Sequence, residues 1–195
     1  MVMALEDFKS VVKDVARPNR FLVQILPNPA ALLPPPGGGL FSKVRTGVAG
    51  ARVVLGDPRS WFFLTKSIDL PSRQVNVLEH KRMGVTRKFA GDPTVEDLNV
   101  TFLNDTGYVA RSLIDTWHEN IVTQNENMRH RAETYSDGSF ILVEHMGPNN
   151  LPIAIYKFND VWPSAIDAAQ LDQDATDTAS EFSVRFSYNT WTRIF

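Results

Sequence analysis

Glu181-Phe182-Ser183-Val184-Arg185-Phe186-Ser187-Tyr188 alternates polar and apolar residues for eight positions without a break. Period two is strand geometry: successive side chains leave a strand on opposite faces, so this run has one face to bury and one for water. Leu98-Asn99-Val100-Thr101-Phe102 repeats the pattern. A single pair of strands is marginal in water, so such segments must belong to a larger sheet with a shared core. The alternation predicts that Phe182, Val184, Phe186 and Tyr188 face that core, together with Leu98, Val100 and Phe102.

Other segments extend the sheet. Arg20 to Leu26, Trp61 to Ile68 and Val85 to Phe89 have strand composition, the last closed by Ala90-Gly91-Asp92-Pro93. Ser139 to Glu144 and Ile153 to Phe158 read as a hairpin across Gly147-Pro148-Asn149-Asn150. Two segments have helical spacing. Leu5 to Val15 is a short amphipathic one, stopped at Ala16-Arg17-Pro18-Asn19. After the capping oxygens of Asn104-Asp105-Thr106, a longer one runs to about Val122, with Val109, Ala110, Leu113, Ile114, Trp117 and Ile121 on one side. The expected fold is mainly β, a sandwich or barrel of antiparallel strands with one packed α-helix. Its 195 residues fit a single domain, 1–195. The stretch at about 27–60, with Pro34-Pro35-Pro36 followed by Gly37-Gly38-Gly39, reads as an inserted loop or arm.

The chain has no cysteine, so disulfides, thiolate metal sites and a cysteine nucleophile are excluded. No apolar run approaches the roughly 18 residues of a membrane span, and the acidic opening Met1 to Asp7 gives no sign of a secretory signal. Catalytic spacing is missing too. His118-Glu119 has Val122 where a zinc-protease helix needs its second histidine, and the other histidines lack ligand spacing. The triple glycine lacks the Gly-Lys-Ser/Thr ending of a phosphate loop. Asp172 and Asp174 alternate as calcium ligands do, without the turn glycine or the terminal glutamate. No catalytic residue, metal site or cofactor is expected.

The net charge of −2 hides an uneven distribution: +8 over residues 1–90, −7 over 91–150 and −3 over 151–195. Either this is scatter over a folded surface, or the protomer has two signs and meets its own copies in a fixed orientation.

Several motifs, in order along the chain, resemble the tail tube proteins of contractile-tailed bacteriophages. They are Ala16-Arg17-Pro18-Asn19-Arg20-Phe21 leading into a strand, Leu70-Pro71 closing one, and Ala90-Gly91-Asp92-Pro93-Thr94 as a turn. Asn104-Asp105, then Ala110-Arg111 and Trp117, mark the helix; Val161-Trp162-Pro163-Ser164 resembles that family's Trp-Pro turn, followed by Leu171-Asp172 and the closing strand Glu181 to Tyr188. The resemblance implies a protein of the virion tail, assembled in the host cytoplasm without membrane insertion. Hexameric rings of this chain would stack into a tube inside a contractile sheath. The implied partners are further copies of itself, the sheath protein, baseplate and tail terminator proteins, and transiently the tape measure protein and DNA. A tube-initiating baseplate subunit and the tube of a phage-derived injection or secretion system are the alternatives.

Within that reading, the polar set Asp97, Asn99, Thr101, Glu181, Ser183, Arg185 and Ser187 is expected to line the lumen. A polar, mostly non-basic wall lets a polyanion slide, since cations would hold its phosphates; Arg185 and Lys88 run against that trend. By the same resemblance, Ser72 to Thr86 is a loop reaching toward neighbouring subunits, with Arg73, Lys81, Arg82 and Arg87 meeting acidic residues of the next ring.

Overall fold

The computed structural model describes residues 16–32, 64–123, 128–169 and 178–194. The expected helix at Leu5 to Val15, most of the proline–glycine stretch and the acidic run Asp172 to Asp177 lie outside them.

Two four-stranded antiparallel sheets form the body. Sheet A has the order β1 (Phe21–Leu26), β8 (Phe140–Met146), β9 (Pro152–Asn159), β12 (Thr190–Arg193). Sheet B has the order β10 (Trp162–Ile166), β11 (Glu181–Ser187), β5 (Leu98–Leu103), β2 (Thr65–Asp69). Their inner faces share one core, with Val23, Ile25, Ile141, Val143 and Phe158 from sheet A and Leu98, Val100, Phe102, Phe182, Val184 and Phe186 from sheet B. Phe102 and Phe182, cross-strand partners in the β5–β11 register, stack at 5.4 Å. No closed barrel is formed by the described strands; the observed class is several antiparallel sheets with one substantial helix.

That helix, α1 (Val109–Glu119), is shorter than its sequence pattern. Asp105 Oδ1 accepts the Val109 N–H at 3.0 Å, which satisfies one of the free donors of the first turn. Ala110, Leu113, Ile114 and Trp117 are buried, and the Trp117 ring packs on Phe186 at 6.1 Å. Trp117 Nε1 donates to the Tyr135 carbonyl at 2.8 Å, fixing the short helix α2 (Ala132–Tyr135) beside it. The remaining strands β6 (Val122–Thr123) and β7 (Met128–Arg129) form a small ribbon.

Four expectations are corrected. Pro27 to Leu32 is not part of an arm: Pro29–Leu32 forms a 3-10 turn with Ala31 and Leu32 in the core. Asn28 Nδ2 holds it by donating to the carbonyls of Glu133 and Asp137, and Asn120 Nδ2 donates to the Ala31 carbonyl. The Trp-Pro segment is strand β10 and not a turn. It is an edge strand whose register shifts between Pro163 and Ala165, a place where a residue without an N–H is tolerated. Finally, Ala90-Gly91-Asp92-Pro93 does not end a strand, and Ser72 to Thr86 is not a loop. They belong to one long hairpin, β3 (Arg73–Arg82) and β4 (Val85–Val95).

Candidate assembly surfaces

The hairpin is the feature that a lone protomer does not explain. Among the described residues its strands pair only with each other, from Arg73↔Val95 to Arg82↔Val85. Met83 and Gly84 form the two-residue tip with φ of 50° and 79°, the paired positive angles of a type I′ turn. Opposite Asn76, Gly91 and Asp92 make a bulge; a Cβ on Gly91 would sit 3.0 Å from the Asn76 carbonyl oxygen, so glycine is the residue that fits. Almost every residue along both strands is exposed. Val75, Val77, Leu78, Val85, Phe89 and Val95 are each more than half exposed. Apolar side chains on both faces of a free ribbon are what an interaction surface looks like before its partner arrives.

The root of the hairpin is anchored. The Arg73 guanidinium lies 3.8 Å above the Trp191 ring of β12, and Trp191 itself stacks on Phe158. Ser72 Oγ donates to the Glu96 carboxylate at 2.7 Å, and the Tyr188 hydroxyl donates to the Glu96 carbonyl at 2.9 Å. Burial, then the negative charges of Asp97 and Glu96, push the Tyr188 phenol above its ordinary pKa, with Arg73 opposing them. Of the four cations proposed for contacts between copies, Arg73 thus sits at this root on Trp191, while Lys81, Arg82 and Arg87 lie near the exposed tip.

The outer face of sheet B gathers the other predicted set. The β5–β11 register puts Arg185 opposite Asn99, Ser183 opposite Thr101 and Glu181 opposite Leu103. Thr101 Oγ1 and Ser183 Oγ are hydrogen bonded at 3.0 Å, and Ser187 Oγ donates to Asp97 Oδ1 at 2.8 Å. Lys66 pairs with Glu181, and Asp69 of β2 lies opposite Asn99. The face therefore carries Lys66 and Arg185 against Asp69, Asp97 and Glu181, a polar mosaic without a basic stripe.

Sequence reasoning missed the apolar residues of the hairpin and Trp191 as the partner of Arg73. The available signal was Met83-Gly84 set between Val75-to-Arg82 and Val85-to-Phe89, a glycine tip between two strand-like runs. Among the described residues, no group of three or more His, Asp or Glu is placed to hold a metal, and no helix is long and apolar enough to cross a membrane.

Residues 16–194 match the sequence model of a family described as phage tail tube protein. No curated protein sequence matches the chain. Among solved structures, a chain of the anti-feeding prophage baseplate is similar with a TM-score of 0.58 and 14% identity, over 93% of this chain and 96% of that one. A chain of the sheath–tube complex of PVC, an extracellular contractile injection system in its extended state, is similar with a TM-score of 0.56 and 9% identity, over 98% of both chains. A chain of the sheath/tube terminator of the same system gives 0.56 and 9%, over 93% and 98%. At such identities these likenesses establish a common fold.

Proposed function

The chain belongs to the phage tail tube protein family, whose members are structural and not catalytic, and on that premise we propose that it is a ring-forming tube subunit of a phage-derived contractile injection machine. The observation that carries this reading is the β3–β4 hairpin, which presents apolar side chains on both faces and has no cover among the described residues. A second copy supplies that cover. Among the described strands sheet B ends at β10 and β2, and these edges are the natural seams for ring closure, because pairing them between protomers removes unpaired strand groups.

In this reading rings of six copies stack, and the outer face of sheet B lines the channel with Asp97, Asn99, Thr101, Glu181, Ser183, Arg185 and Ser187. The cross-strand hydrogen bonds on that face use up side-chain donors that would otherwise grip cargo. Sheath, baseplate and terminator proteins are the partners. Two narrower readings each have an observation behind them. The family description favours the inner tube of a phage tail, carrying DNA behind a tape measure protein. The likeness to a chain of the anti-feeding prophage baseplate favours a subunit that initiates the tube.

Negative-stain electron microscopy with light scattering tests the proposal. The expected result is hollow tubes, or rings of six 21.9 kDa copies, about 131 kDa. A monomer that also fails to add to preformed tubes or baseplates would refute it.

A further inference from the structure

The outer face of sheet A carries an unusual combination. Half-buried Leu22 and Ile155 flank Glu144 in one row across β1, β8 and β9, and Leu142 follows on the same face of β8. Glu144 has no ion pair among the described residues. The cations of this face among the described residues are engaged elsewhere: Lys157 holds its ammonium 5.0 Å above the Phe140 ring, and Arg20, just before β1, donates to the carbonyls of Gly147 and Pro148. Covering this patch with a purely apolar surface would strand a carboxylate in a dry contact, which is costly. Whatever covers it must bring a cation set among apolar side chains.

One face of the hairpin has that composition. Cross-strand pairs put Leu78 with Phe89, His80 with Arg87 and Arg82 with Val85 on the same side. Arg87 is free of ion pairs among the described residues, whereas Lys88 on the opposite side is already held by Glu79 at 3.2 Å. We propose that the outer face of sheet A is the seat for the hairpin of a second copy, with the Arg87 guanidinium on the Glu144 carboxylate. This rests on the ring-forming reading above and names the surface it uses. Arginine suits the role because its planar fork meets a carboxylate through two parallel hydrogen bonds. Each copy gives a hairpin and offers a seat, so the contact is head-to-tail and propagates through the assembly.

The native chain has no cysteine, so the doubly substituted protein R87C/E144C carries only the two thiols of interest. Assembled and treated with a short bismaleimide, it should give a ladder of dimers, trimers and larger species on denaturing gels. Separately, E144R should raise the concentration needed for assembly about tenfold or more, the effect of opposing two cations at a covered contact. R87E/E144R should restore it, with the monomer's thermal midpoint unchanged throughout. Tubes that form but yield only monomer after cross-linking, or E144R protein that assembles like wild type, would overturn this docking while leaving the tube reading intact. Wild-type protein that neither assembles nor joins preformed tubes would overturn both.

Discussion

Replacing Gly84 by valine tests whether the hairpin is a separate cooperative unit that matters only on assembly. Gly84 has φ of 79°, where a β-branched side chain is strained, and the space around it is otherwise open. The expected penalty is therefore backbone strain alone, roughly 1–2 kcal/mol. A two-stranded ribbon is marginally stable to begin with, so this penalty lowers its folded-to-open ratio about 5- to 30-fold. Among the described residues, the contacts that tie the hairpin to the body lie at its root, at Arg73 on Trp191 and Ser72 on Glu96. None involves the buried core of β5, β11 or α1. Hydrogen exchange should accordingly show protection falling by that factor across Arg73–Val95, while Leu98–Leu103 and Glu181–Ser187 keep theirs. The thermal midpoint should stay within about a degree, because the core that sets global stability is untouched. Assembly should weaken in parallel with the lost protection. A midpoint lowered by several degrees, with protection lost in β5 and β11 as well, would refute the independence of the hairpin.

Phe102→Ala removes a fully buried ring that stacks on Phe182; it should cost about 3–5 kcal/mol in a denaturant titration. Arg73→Ala removes the cation over Trp191 and should cost about 0.5–2 kcal/mol, read as increased exchange at the hairpin root and altered Trp191 fluorescence. Tyr188 has its phenol pKa raised above the ordinary 10.0. The unfolded chain therefore loses that proton first, so its contribution to stability is complete below pH 10 and is lost as pH rises through the folded value. A difference titration of tyrosinate absorbance between wild type and Y188F should show one phenol titrating above the rest, and one titrating at the ordinary position would contradict the buried setting.

The parts of the fold legible in the sequence are those with one wet face and one dry face. Glu181 to Ser187 and Leu98 to Phe102 announce themselves because the core removes Phe182, Val184, Phe186, Leu98, Val100 and Phe102 from water at every second position. Tyr188 lies just past β11, where its ring packs edge-on against Phe158 at 5.0 Å while its hydroxyl reaches Glu96. The helix was legible for the same reason, with period 3.6 in place of two. The hairpin has no dry face among the described residues, so Arg73 to Val95 shows no burial pattern, and Gly91-Asp92 reads as a turn although it is a bulge. Pro163 and Pro29 punctuate the chain without breaking it, since an edge strand and a 3-10 turn both tolerate proline. The assembly surfaces depend on neighbours distant in sequence: Trp191 meets Arg73, and Glu144 meets Leu22 and Ile155, only through the strand order of the two sheets. The alternation of β5 and β11 identified Asn99, Thr101, Ser183 and Arg185 as one outer face, and the channel-wall role proposed for them would be a property of the assembly, which no single chain's pattern encodes.

The most direct test of the account is electron cryomicroscopy of the chain concentrated until it assembles. The expected result is a hollow tube of stacked six-membered rings, with Thr101, Ser183 and Arg185 on the inner wall and the β3–β4 hairpin seated on another copy. A tube whose channel is lined by a different face, with the outer side of sheet B turned away from it, would contradict the central claim.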